Sequence, residues 1–160
     1  MALGKNQLFD FILTLGDQHA FTQEKLFALT GIPLTKSPKD TNSPFSVYHS
    51  PENCEAYHPC ITQIELRSPV EKGSTGGLII IDLHNIPDIT GKDVIARFGE
   101  VSDLIVPYPE QPQDDPVSFT YKFDWGELRF GIARDNTDSL LEVVLDAYKS
   151  SYFKSYKEKR

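Results

Sequence analysis

Two histidines and both cysteines of the chain fall within HSPENCEAYHPC, as His49, Cys54, His58 and Cys60. Imidazole and thiolate are the side chains that hold zinc, and a pair of thiols can instead close a disulfide. Structural zinc sites favour cysteine pairs with about two to four residues between them and a second ligand pair elsewhere. Here five residues separate the cysteines, and the other histidines, His19 and His84, stand apart. A disulfide is geometrically open to so short a loop but needs an oxidising compartment. The spacing favours thiols in a loop shaped by Pro51 and Pro59, with Tyr57 packing it down or meeting a partner; metal and disulfide are the alternatives. The expectation is no metal and no cofactor.

The remaining catalytic patterns are missing from the sequence. It has no G-x-S-x-G elbow, no Walker loop, no H-E-x-x-H and no G-x-G-x-x-G behind a strand. Gly73-Ser74-Thr75-Gly76-Gly77 superficially resembles a phosphate cradle. It lacks the Lys-Ser/Thr that would finish one and leads into a strand, so it reads as a hairpin turn. Asp114 and Asp115 carry acid–base potential, but they sit in a proline-rich stretch without a neighbouring histidine. The chain therefore reads as a non-enzyme.

The elements that would position these residues show an internal repeat. Residues 21–31 read FTQEKLFALTG and residues 89–99 read ITGKDVIARFG. Thr22 and Thr90 suit N-caps, because a hydroxyl can accept from the open amides of a first helical turn. Gly31 and Gly99 suit the left-handed residue that stops a helix. Phe21 and Ile89 occupy the staple position. Two short helices follow, with Leu26/Phe27 and Val94/Ile95 expected on their buried sides. Strand patterns come after each: 45–50, 61–69 and 76–83, then 118–123, 126–134 and 140–148. Phe119, Tyr121 and Phe123 alternate with polar residues. Asp124-Trp125-Gly126 makes a tight hairpin. The stretch VPYPEQPQDDP (106–116) holds four prolines and suits neither helix nor strand throughout.

The expected fold is α+β in a single domain over 1–160. It comprises an N-terminal helix (5–16), two helix-β-β-β repeats (about 20–84 and 88–148), and a basic aromatic tail (149–160). The antiparallel sheet would carry its helices on one face.

A short helix running Asp93, Val94, Ala96, Phe98, Gly99, Glu100, then Tyr121, Phe123, Gly126, Leu128, Phe130, Leu141, Val143 and Leu145, resembles the small outer-membrane lipoprotein repeat of the SmpA/OmlA type. Tandem copies of that unit form the β-lactamase inhibitor protein fold. The resemblance covers the second half well and the first half loosely. It implies a curved sheet used as a protein-binding surface, as in some bacterial immunity proteins. The sequence has no lipobox cysteine and no export signal, so the expected location is cytoplasmic, or periplasmic if a signal sequence has been removed.

Charge narrows the partners. The net charge is −7, yet the tail from Lys149 to Arg160 carries +4, leaving −11 for the rest. Such a body repels nucleic acid, whose binding depends on phosphate neutralisation, and attracts a basic protein. The tail aromatics Tyr148, Tyr152, Phe153 and Tyr156 fit one face of a packed helix, so no membrane contact is expected. Partner contacts are expected at Tyr108, Glu110, Asp114 and Asp115 in a stiff acidic loop, and at Asp124 and Trp125 on the hairpin tip. The loop has an inert linker as its plain alternative, and Trp125 has a place in the core as its own. Together these features point to an inhibitor or immunity protein that occludes a toxin, a basic-cleft nuclease for instance. The alternative is an envelope assembly module; the sequence leaves monomer and homodimer both open.

Overall fold

The computed structural model describes residues 5–18, 21–37, 45–52, 54, 61–69, 76–83, 89–107, 109–112, 115–135 and 137–147. They form a mixed α+β fold with three helices and one eight-stranded antiparallel sheet. Helix α1 spans Lys5–Gly16, α2 Gln23–Thr30 and α3 Gly91–Phe98. The strands are β1 Thr35–Lys36, β2 Phe45–His49, β3 Ile61–Pro69, β4 Leu78–Leu83, β5 Asp103–Ile105, β6 Val117–Phe123, β7 Gly126–Ile132 and β8 Leu140–Asp146. Their spatial order is β1-β2-β3-β4-β8-β7-β6-β5. Each half of the chain runs from an outer edge inward, and the halves meet along β4 and β8. Each half holds four strands rather than three, because β1 and β5 lack any strand pattern of their own. Both are short, and only their pairing with β2 and β6 defines them.

The caps of α2 form as their chemistry requires, whereas Gly99 at the end of α3 takes φ +87° and ψ −159°, outside the left-handed helical conformation expected for it. The Thr22 hydroxyl accepts from the Lys25 amide, and Gly31 adopts φ +73° while its amide donates to the Phe27 carbonyl at 2.8 Å. The Asp93 carboxylate accepts from both the amide and the hydroxyl of Thr90 at 3.0 and 3.3 Å, tying the first turn of α3 to its entry. Helix α1 buries Leu8, Phe9, Ile12 and Leu15, a stripe at helical spacing. In α2 and α3 Leu26 and Val94 are the large apolar side chains that are fully buried, whereas Phe27 and Ile95 are exposed. Successive helical residues diverge by about 100°, and helices of two turns bury a single stripe.

Alternation divides the sheet into two unlike surfaces. Leu66, Ile79, Leu145 and Leu128 form a directly opposed row, as do Ile64, Ile81, Val143 and Phe130, and all eight are buried. Onto these rows pack aromatic rings from α1 and α3. Phe9 meets Phe130 edge-on at 6.1 Å, and Phe98 lies 5.0 Å from Phe130 and 5.6 Å from Tyr121. The Tyr121 hydroxyl donates to the Gly99 carbonyl at 2.9 Å, fastening the end of α3 to β6. Burial raises the Tyr121 phenol pKa, because the charged form would lose solvation.

Candidate functional site

The other surface of the sheet carries the polar half of the alternation, and Ile80, Asp82, Arg129, Glu142 and Val144 on it are only half-buried. One row runs Gln63, Asp82, Glu142, Gly131, Ser118, Ile105 from β3 to β5. The next runs Glu65, Ile80, Val144, Arg129, Thr120, Asp103, and a third holds Arg67, Leu78, Asp146, Glu127 and Lys122. Directly opposed residues of an antiparallel pair point to the same side, so Asp82 and Glu142 share this surface across the β4–β8 seam.

Their environment resists ionisation. Desolvation raises the Asp82 pKa, and the nearby Glu65 carboxylate raises it further. Desolvation likewise raises Glu142, with the Asp82 charge adding to it. Glu142 is also confined sideways, since its side chain lies across Gly131, where an added Cβ would come within 2.5 Å of its Cγ. Glycine at 131 leaves the room that lets Glu142 fold down beside the seam.

Basic groups flank this centre. Glu65 accepts from Arg67 Nε at 3.0 Å and pairs with His49 Nε2 at 3.1 Å. Arg129 bridges Glu127, at 3.2 Å, and the buried Asp146. The Thr120 hydroxyl, opposite Arg129, is buried without a hydrogen-bond partner among the described residues. The arrangement is a carboxylate pair on the seam with ion pairs on both sides. It offers charge and hydrogen-bond acceptors to a cationic surface, and no nucleophile paired to a base.

The residues singled out from sequence fall in different places. Tyr108 and Asp114 lie outside the described residues. Glu110 is exposed, and Asp115 is half-buried and accepts from Gln111 Nε2 at 3.1 Å. Asp124 is exposed at the hairpin tip, but Trp125 beside it is 4% exposed. Its indole stacks on Phe123 at 5.5 Å and meets Phe21 edge-on at 5.9 Å. A Cβ on Gly16 would come within 2.6 Å of that ring. Trp125 is a core residue, held by α1 and the entry to α2, and it offers a partner no surface. In the cysteine–histidine segment, His49 faces Glu65 while Cys54 is buried in the core; His58 and Cys60 lie outside the described residues. Among the described residues no three His, Cys, Asp or Glu side chains gather as metal ligands, and no helix is long and apolar enough to cross a membrane.

The seam carboxylates were not found by reading motifs. The signal available was the lone Asp82 in LIIIDL and Glu142 with Asp146 in LLEVVLD, polar residues that mark a side facing away from the core but not its neighbour. Compared with protein-family models, curated proteins and solved structures, the chain matches none.

Proposed function

We propose that this chain is a non-enzymatic protein-binding module of the inhibitor or immunity type, which holds a basic cognate toxin against its acidic surface. The observation that carries this reading is the Asp82–Glu142 pair. Two carboxylates directly opposed on a half-open face, each with a raised pKa, form a centre of negative potential that a lysine or arginine from a partner would relieve. The charge of −11 outside the tail extends that attraction beyond the contact itself. A nuclease suits the chemistry, because its substrate-binding cleft is built to attract phosphate and would be drawn to clustered carboxylates. Glu110 and Asp124, both exposed, are the members of the sequence-derived site that fit this role.

The mirrored strand order supports a finer reading of the fold. The chain is two copies of one helix–strand unit, joined at β4–β8, with the helices on one face and the opposite face left for binding. The second half of the chain resembles the small-lipoprotein repeat. Its residues Phe98, Gly99, Tyr121 and Phe130 make the contacts that fasten α3 to the sheet. That likeness favours an envelope assembly module as the second reading.

The test is co-expression with the products of neighbouring genes, followed by purification and mass spectrometry. A stoichiometric basic protein whose activity is blocked in the complex supports the inhibitor. Release at about 0.5 M salt, where screening is nearly complete beyond contact distance, and loss of binding by an Asp82→Asn/Glu142→Gln variant support the proposed surface. A partner indifferent to both rejects it, and recovery of envelope components favours the second reading.

A further inference from the structure

The two edges of the sheet are guarded differently. At one end β1 is Thr35–Lys36, two exposed polar residues with a lysine among them, the usual device against unwanted strand pairing. At the other end β5 and the residue after it present Leu104, Ile105 and Val106 at 55%, 50% and 58% exposure. An edge strand offers a row of unpaired backbone donors and acceptors, and apolar side chains on it favour another strand beside it. Pro107 lacks an amide, so pairing would stop after Val106.

We propose that β5 is a docking edge that takes an extended segment of the partner, built of apolar and basic residues, as one more strand of the sheet. The partner's basic character rests on the function proposed above; the docking edge rests on β5 itself. Leu104 lies opposite Phe119 on the core side, and Ile105 lies opposite Ser118 on the open side. An added strand would meet apolar side chains on both faces. Asp103 within β5 and the exposed Glu100 and Glu110 around it supply acceptors for lysine or arginine. Ile105 also ends the row that begins with Gln63, Asp82 and Glu142, so a partner lying on the carboxylate face reaches this edge without leaving the surface. A second copy of the chain is the poorer fit. It would bring together two bodies of −11 each, over a four-residue pairing far short of the roughly 1,200 Å² of a stable dimer.

The test uses the full chain and three end-capped synthetic peptides: VKVRVKVR, its fully N-methylated counterpart with the same side chains and charge, and the neutral VTVTVTVT. Amide NMR shifts and hydrogen exchange are read in the unmodified protein and in an Ile105→Lys variant, which keeps the fold because Ile105 is an exposed edge position. The expected result is shifts and exchange protection at residues 102–106 with VKVRVKVR, and binding roughly tenfold weaker for the N-methylated peptide and for the variant. Equal binding by the N-methylated peptide, or shifts confined to the strands of Asp82 and Glu142, overturns strand addition while leaving an electrostatic partner in place. Equal binding by VTVTVTVT overturns the basic occupant while leaving the edge. Concentration-dependent sedimentation abolished by Ile105→Lys overturns the proposal in favour of a second copy.

Discussion

Glu142 lies directly opposite Asp82 across the seam where the two halves of the chain pair. Like charges in this position are destabilising by a few tenths to about 1 kcal/mol; desolvation is the larger cause of both raised pKa values, and the Asp82 charge adds to that of Glu142. Asp82→Asn or Glu142→Gln should therefore stabilise the isolated protein at neutral pH by up to about 1 kcal/mol, seen as a higher urea midpoint with unchanged slope. The same changes should weaken binding of a basic partner. Destabilisation by both substitutions would show that the carboxylates are held by compensating contacts.

The pH dependence follows from the sign of these shifts. A carboxyl whose folded pKa lies above its unfolded value binds its proton more tightly in the folded state. That contribution is fully present below the unfolded pKa and is lost as pH rises through the folded one. The advantage of Glu142→Gln over the unsubstituted chain should thus be greatest at neutral pH and shrink as acid protonates Glu142. Urea unfolding of both proteins from pH 7 down through the carboxylate range measures it.

Asp93 works in the opposite sense. A hydrogen bond from Lys5 is the largest cause of its lowered pKa, and the Thr90 amide is the next. Its contribution is present above the ordinary carboxylate range and is lost as pH falls through the depressed pKa. Asp93→Ala should cost about 1 kcal/mol, the usual value of a lost helix cap, with a smaller penalty in acid. Thermal unfolding at two pH values decides this.

Trp125 and its neighbour Asp124 should separate sharply. Trp125→Ala empties a core site and should cost about 3–5 kcal/mol, whereas Asp124→Ala at the exposed tip should stay within about 0.5 kcal/mol. Denaturant unfolding followed by circular dichroism compares them without needing the tryptophan signal.

Arg129 should matter more than its half-exposed position suggests. It pairs with Asp146, whose side chain is 7% exposed, and with Glu127. Arg129→Met leaves both carboxylates without that cation and should cost about 3 kcal/mol. A parallel Arg67→Met variant, whose arginine is the more exposed at 44%, should cost well under 1 kcal/mol.

Local chemistry was legible where it was strong. Thr22, Gly31 and Thr90 announce the helix ends, and the alternation through Phe119, Tyr121 and Phe123 announces β6. What stayed hidden was set by partners far away in sequence. β1 and β5 are strands only because β2 and β6 lie beside them. Leu26 and Phe27 look equivalent until the sheet selects one of them. The hairpin containing Trp125 could be read locally, but the direction of its indole depends on Phe21 and on the space left by Gly16. The opposition of Asp82 and Glu142 arises from a register between strands made of residues 78–83 and 140–146, which no local pattern encodes.

The meeting of β4 and β8 also fixes an order of events during synthesis. The Ala147 amide donates to the Gly77 carbonyl at 2.9 Å, across about 70 residues of chain. While a ribosome is still making the second half, β4 has no neighbour on its inner side, and Leu78, Ile79, Ile80 and Ile81 border an unpaired edge. Such contacts of long sequence separation are slow to form, and a nascent chain with an open apolar strand is prone to aggregate. The last strand to emerge is therefore the one that closes the middle of the sheet. A chain stalled before Leu140 would expose two inner strands at once, marking it for chaperones or proteases before it could meet any partner.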